Sequence, residues 1–368
     1  MTELFTPGPY TCGDFDPTTD NNTYGVNLSA ERLQMYCIIR NVYGLSTTII
    51  SLLGIVGNIF CLVILPKTGG AKSAIVLLYT LGLYDTVFLL SAVFLRYIPS
   101  ITLFGHMTVV TGNVLSLAMF PVCLVSHFGA VYTTVAISIE RCLAITSPFR
   151  ILQWFTSRRI KIATLCILVW SIAFNIPRFL LLESTWYWEP YLNRTWIRLD
   201  SSDLSLNVWL LKIYFGYLNT LFKLILPILL VVISNTALLC CLRKRHSVFV
   251  EHVQVNGESA RSVSHSDGRV TPMVLAVTWT FVLSHSFAGI QVFYHLWRDQ
   301  NSCTEWCITF DQLCDVIFAL TSATNFLLYY AFGIKFRKLV KQCFNRLCTR
   351  SSTRTFRLSS RSSRSKST

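Results

Sequence analysis

The sequence predicts an all-α membrane protein: a seven-transmembrane helix bundle with a short amphipathic eighth helix. Three observations carry this. Of 368 residues, 52% are hydrophobic and only 14% charged, with mean hydropathy +0.50. Soluble domains carry about 25% charged residues, so the composition is that of a chain dissolved in lipid. Charge-free runs cover Asn41 to Pro66, Tyr97 to Ile139, Leu224 to Leu242, Val270 to Trp297 and Val316 to Ile334. Each reaches the roughly 17–25 residues that a spanning helix needs. Finally, basic residues gather on one side of the alternating runs, as described below.

Residues 1–36 read as an extracellular, glycosylated tail. They are acidic (Glu3, Asp14, Asp16, Asp20), and no basic stretch precedes an apolar core, so a cleaved signal peptide is not expected. The seven-helix domain is expected over 37–333. "RLQMYCIIR" extends the first helix outward. The second span is Ser73 to Leu95, interrupted by Asp85, and ends near Arg96 and Pro99. The second charge-free run exceeds one helix and must contain a turn and a loop before a third helix from about Thr111 to Ala144. The fourth span, Ile162 to Leu182, carries Arg178 near its end. Residues 183–207 form an aromatic-rich outer loop, and 243–269 a polar inner one.

After Phe332-Gly333, "IKFRKLVKQCFNRLC" sets apolar residues at helical spacing among bases. That pattern fits an amphipathic interfacial helix over 334–348. Cys343 and Cys348 are placed for palmitoylation. Residues 349–368 are a disordered, basic, Ser/Arg-rich cytoplasmic tail.

Orientation rests on two independent signals. Sequons at Asn21, Asn27 and Asn193 all fall outside when the N-terminus is outside. Lys67, Lys72, Arg150, Arg158, Arg159, Lys161 and Arg243–Arg245 all fall inside. The expected location is the plasma membrane, multi-pass, with an extracellular N-terminus. The net charge of +14 is mostly the tail, which has no acidic residue after Asp315. It lies near anionic inner-leaflet lipid. A nucleic-acid arm would need a nuclear or cytosolic chain and is set aside.

The thirteen cysteines do not form a disulfide scaffold, since most lie in or at spans. Cys12, Cys37, Cys303 and Cys307 lie in the oxidising compartment, where at least one bridge is expected among them; the pairing stays open.

Ionisable and amide groups within spans are costly and face the bundle interior. In order they are Gly57-Asn58, Leu81-x-x-x-Asp85, Glu140-Arg141-Cys142, Trp170, Pro227 and Asn325-x-x-x-Tyr329. This set resembles the rhodopsin-like (class A) G-protein-coupled receptors over roughly residues 40–345. More narrowly, "TSATNFLLYYAFGIKFRK" and "TPMVLAVTWTFVLSHSF" resemble the seventh and sixth helices of invertebrate FMRFamide-type neuropeptide receptors.

The resemblance implies roles. Glu140 would hold Arg141 in the inactive state, with Asp267 as a second partner, and Arg141 would meet a heterotrimeric G protein on activation. Tyr329 would move as that side opens. Asn58, Asp85, Ser322 and Asn325 would form the polar core where such receptors often hold sodium, a satisfied network without an ion being the alternative. An extracellular peptide would sit in the outer half of the bundle. Asp315 or Asp311, with Glu183 or Glu189, would receive an arginine of an RFamide-like peptide, and Lys223 a carboxylate or carbonyl. The other reading of these charges is an internal ion pair. His127 and His285 would sit together at the pocket floor, as packing residues or as a pH-responsive pair. Receptor kinases and arrestin would act on the Ser/Thr-rich tail.

The chain also departs from the pattern. Phe281-Val-Leu-Ser-His285-Ser-Phe287 stands where the class has F-x-x-C-W-x-P, and Phe326 where it has Pro. Ser116 replaces the cysteine that would tether the outer loop, and 183–207 contain none. The competing functions are a chemosensory receptor for a small molecule, a transporter or an enzyme. Neither inverted repeats nor broken helices favour transport. No H-E-x-x-H motif and no nucleophile cluster favours an enzyme, and no cofactor or metal site is expected.

Overall fold

The computed structural model describes residues 30–69, 71–100, 105–180, 182–189, 194–202, 207–256, 270–297, 305–343 and 345. The helices are α1 (Ala30–Ile64), α2 (Lys72–Ser100), α3 (Gly105–Thr146), the short α4 (Pro148–Trp154) and α5 (Ser157–Phe179). A two-stranded sheet follows, β1 (Leu182–Glu189) with β2 (Arg194–Ser201). Span five is composite: α6 (Val208–Leu210), π-helix over Leu211–Leu218 and Thr220–Ile225, then α7 (Leu226–Asn256). The chain continues through α8 (Val270–Trp297), α9 (Glu305–Phe332) and α10 over residues 334–343.

Seven stretches are long and apolar enough to cross a membrane: Asn41–Lys67, Lys72–Leu95, Ala118–Thr146, Ser157–Phe179, Lys212–Lys244, Leu275–Val292 and Thr309–Phe332. They form a bundle whose outward face is apolar. Leu53, Val169, Ile233, Leu283 and Leu327 are all exposed there. In lipid such residues gain nothing by hiding, so the helices are held by packing and hydrogen bonds rather than by the hydrophobic effect. Hydroxyls within the spans bond backward. Thr47, Thr48, Thr133 and Ser138, for example, each donate to the carbonyl four residues earlier, so these four donors are not left open to hydrocarbon.

Local chemistry sets the ends of several elements. Gly69 takes φ +65°, a left-handed turn between α1 and α2 that other residues resist. Thr156 caps α5 by accepting from the Arg159 amide at 3.4 Å. The Asn207 side-chain oxygen accepts from the amides of Trp209 and Leu210 at 3.1 and 3.2 Å, starting span five.

Close approach of α1 to α9 depends on missing side chains. A Cβ on Gly54 would lie 2.6 Å from that of Ala323, and one on Gly57 would lie 2.9 Å from that of Phe326. Phe326 fills the gap so left, with ring centroids 6.2 Å from Phe60 and 5.9 Å from Phe336 of α10. Here a large side chain knits three helices where the class pattern has a bend.

The register of span five also has a local cause. At the end of its π-helical part the Leu226 amide bonds the Leu221 carbonyl, five residues back. The next donor in that register is Pro227, which has none. The Phe222 carbonyl it would have served instead accepts from the Tyr132 hydroxyl of α3 at 2.9 Å.

The stretch 183–207, expected as a loop, contains an antiparallel hairpin paired from Leu182↔Ser201 to Glu189↔Arg194. Its Thr, Trp and Tyr residues favour strands. β2 lies against α3 although no cysteine joins them. Spans four, five and seven start earlier than their apolar runs suggest, at Ser157, Val208 and Glu305, because a helix in lipid tolerates charge at its ends but not in its middle.

Candidate functional site

Three polar layers run down the axis of the bundle, from the hairpin end to the end bearing Arg141. In the first, Arg178 lies in the last turn of α5, one residue after Pro177, and is only 9% exposed. Its Nη2 donates to Asn219 Oδ1 at 2.5 Å, and Tyr214 donates its hydroxyl to the Phe174 carbonyl beside it. Lys223 is half-buried. The charges of Arg178 and Asp315 both act on it, one repelling and one attracting. Asp311 is only 4% exposed and accepts from Gln291 Nε2 at 2.6 Å, tying α9 to α8. Of the expected pocket residues, then, Lys223 and Asp315 come within electrostatic reach, while Asp311 is engaged by an amide. Glu183 lies on β1, and its side chain is outside the described part of the structure.

Beneath them His127 of α3 and His285 of α8 stack, centroids 5.7 Å apart and planes 6° from parallel. Phe318 of α9 meets both edge-on, at 4.7 and 5.5 Å. His285 Nδ1 lies 3.0 Å from the Phe281 carbonyl. A carbonyl only accepts, so Nδ1 carries the proton and Nε2 presents its lone pair.

The second layer is a buried network. Asn325 Nδ2 of α9 donates to Asp85 Oδ2 of α2 at 2.6 Å. The Ser322 hydroxyl bonds the same carboxylate, and Asn58 Nδ2 of α1 donates to the Ser322 carbonyl at 3.0 Å. Asp85 is 2% exposed. Asn325 and Ser322 of α9 thus hold the α2 carboxylate, with α1 joined to them through the Ser322 carbonyl, and each hydrogen bond to the carboxylate offsets the cost of its burial. The layer borders a cavity that Asp85, His127, His285, Ser322 and Asn325 line together.

The third layer is at the Arg141 end. Glu140, 1% exposed, accepts from the Ser73 hydroxyl of α2 at 2.9 Å and pairs with Arg141 Nε at 3.2 Å. Tyr329 is 1% exposed, its ring edge-on to Phe336 and its hydroxyl without a hydrogen-bond partner among the described residues. Asp267 lies outside the described residues, as do Asn21, Asn27, Asn193, Cys12, Cys303 and Cys348. Cys37 belongs to α1 and Cys307 to α9, their side chains undescribed. Cys343, in α10, is a half-buried free thiol.

The arrangement matches the model of a family described as the serpentine-type 7TM GPCR chemoreceptor Srw, over residues 45–347. The chain belongs to this family of G-protein-coupled receptors. It is related to invertebrate FMRFamide receptors. An FMRFamide receptor of Drosophila melanogaster is 27% identical over 310 residues, which is 81% of this chain and 53% of that protein. A probable G-protein coupled receptor, frpr-1, of Caenorhabditis elegans is 23% identical over 316 residues, 82% of this chain and 78% of its own length. The FMRFamide peptide receptor frpr-18 of the same species is 23% identical over 301 residues, 79% and 66% of the two chains. The chain therefore spans about half the length of the Drosophila relative.

Within this receptor, α8 is continuous helix through Phe287 and α9 through Phe326. Prolines elsewhere in the spans include Pro121 in α3, Pro177 in α5 and Pro227 at the head of α7.

Three residues of the site, Ser73, Tyr132 and Asn219, carry no mark in the sequence pattern. Ser73 is one hydroxyl at a helix start, and Tyr132 one aromatic in an apolar run. Arg178 does stand out as a charge within a span, but nothing in its neighbours announces Asn219, forty-one residues away, as its acceptor.

Proposed function

We propose that the receptor lies in the plasma membrane with its N-terminus outside, binds an extracellular RFamide-like neuropeptide and activates a heterotrimeric G protein. The observation that carries this is the opposite charge of Lys223 and Asp315 within electrostatic reach of each other at the hairpin end, in a chain related to FMRFamide receptors. An amidated peptide ending in Arg-Phe brings a cation and an aromatic ring. Asp315, with Asp311 and Glu183 nearer the rim, receives the guanidinium; His127, His285 and Phe318 form an aromatic floor.

Signalling runs from that floor to the Arg141 end. The Asp85–Asn325 layer lies directly below the histidines, and Tyr329 follows Asn325 by one helical turn. Release of Arg141 from Glu140 exposes it to the G protein, with Asp267 as a further partner in the resting state.

Receptors of this class often hold sodium in the polar core, and the donors here fit a hard cation. Asn58 Oδ1 is a buried acceptor with no donor among the described residues, and Asp85 and Ser322 supply further oxygens. Bound there, the cation would neutralise the Asp85 charge and favour the resting arrangement.

Glycans on Asn21, Asn27 and Asn193, palmitate on Cys343 and Cys348, a bridge among Cys12, Cys37, Cys303 and Cys307, and kinase and arrestin action on the tail complete the proposal. The test is expression of the chain in cells with calcium and cyclic AMP readout against a library of amidated peptides. The family's description as chemoreceptors supports one alternative, a small-molecule ligand. Response to small metabolites and to no peptide would establish that alternative.

A further inference from the structure

Two free thiols meet at the Arg141 end of the bundle, and neither takes part in the polar layers. Cys142 follows Arg141 in the last turns of α3, and Cys241 lies on α7. The Cys241 thiol donates to the Ile145 carbonyl oxygen of α3, with Sγ at 3.9 Å. Cys142 is three residues before Ile145, so the two are neighbours along one side of that helix. Contact of Cys241 with α3 at Ile145 therefore brings it within one helical turn of Cys142, and the two thiols act on each other electrostatically. Both are half-buried, so neither is sealed from small solutes.

A single thiol in a span is a small apolar side chain. A pair on two packed helices has a second chemistry. A disulfide needs Cα atoms about 4.4–6.8 Å apart, and small side chains are what let two helices in lipid approach that closely. In the orientation proposed above, this end faces the cytoplasm. Thiols there are kept reduced, and a disulfide is transient and redox-sensing rather than structural.

We infer that Cys142 and Cys241 form a peroxide-sensitive thiol pair whose disulfide ties α3 to span five beside Arg141. The oxidant is hydrogen peroxide. One thiolate attacks it: an S–O bond forms, the O–O bond breaks and hydroxide leaves, giving a sulfenic acid. The second thiol then attacks that sulfur: the S–S bond forms, the S–O bond breaks and water leaves with the thiol proton. Two thiols and one peroxide thus give one disulfide and two waters, sulfur being oxidised and the peroxide oxygens reduced. A cytosolic dithiol reverses the bond by exchange. The link holds the inner end of span five against α3 and restrains the opening that releases Arg141. That consequence, unlike the bond itself, rests on the G-protein reading of Arg141.

Mass spectrometry of the purified full chain tests the bond. The chain is treated with hydrogen peroxide, its remaining thiols are blocked with N-ethylmaleimide, and it is digested without reduction. A peptide containing Cys142 should be found joined to one containing Cys241, and dithiothreitol should separate them. Cys240 is adjacent and exposed, so the link should persist in Cys240→Ser and vanish in Cys241→Ser and in Cys142→Ser. Unjoined thiols at 142 and 241, or a bond to Cys240 in place of Cys241, overturns the inference. Ligand-free signalling of the Glu140→Gln receptor in cells tests the consequence. Peroxide should lower it about twofold or more, dithiothreitol should restore it, and peroxide should have no effect once Cys142→Ala is added. A bond that forms and leaves this signal unchanged overturns the restraint. A bond that forms in a receptor with no ligand-free signal keeps the thiol pair and removes the Arg141 reading.

Discussion

The Asn325 amide donates to the Asp85 carboxylate at 2.6 Å, joining α9 to α2 across 240 residues of sequence. A carboxylate this deeply buried is stable only with donors around it, so the bond should be both structural and conducting. Asn325→Ala and Asp85→Asn should each destabilise the receptor by about 1–3 kcal/mol. The exchanged pair, Asp85→Asn with Asn325→Asp, should recover part of that loss, because donor and acceptor then trade places. Thermal unfolding of the purified receptor measures all three. Additive losses in the exchanged pair would show that the two residues do not depend on each other.

Ser73 donates to the carboxylate that also holds Arg141. Removing that donor should weaken the resting position of Glu140 without removing the ion pair. Ser73→Ala should therefore raise signalling in the absence of ligand by about two- to tenfold, the range one hydrogen bond spans. Glu140→Gln should raise it further. Basal cyclic AMP or calcium signalling, corrected for surface expression, is the readout, and an unchanged baseline in Ser73→Ala argues against the role.

Tyr132 caps the carbonyl that Pro227 leaves without a donor. Tyr132→Phe should cost about 1–2 kcal/mol of stability, since the buried acceptor then has no partner. In a Pro227→Ala background an amide returns at that position, so the same substitution should cost much less. Equal costs in the two backgrounds would separate the hydroxyl from the proline.

Phe326 packs against Phe60, Phe336 and the open face of Gly57. Restoring the class residue should harm this receptor. Phe326→Pro both empties that space and breaks a helical hydrogen bond, at a cost of about 3 kcal/mol or more. Loss of surface expression, with Phe326→Leu largely tolerated, is the expected result.

The spans were readable because lipid demands long runs without charge, and the inward polar residues because each is anomalous within such a run. Asn58, Asp85 and Asn325 stand out for that reason, and the structure draws them together through Ser322. The hairpin was not readable, because a short aromatic stretch between spans has no periodicity to separate strand from loop. The π-helical register of span five is legible only in Pro227, where it ends; that the Tyr132 hydroxyl serves the Phe222 carbonyl is a matter of how α3 lies against span five. Ser73 was invisible because a hydroxyl at a helix start is unremarkable until its partner, on another helix, is known.

Ligand recognition by Asp315 is the point on which the account most depends. The direct measurement is the concentration–response curve of cells expressing the receptor and its Asp315→Asn variant to an Arg-Phe-amide peptide and to its arginine-free analogue. The account predicts a loss of about tenfold or more in potency for the arginine-bearing peptide, with little change for the analogue. Equal loss for both peptides, or no response of the unaltered receptor to any amidated peptide, would contradict it.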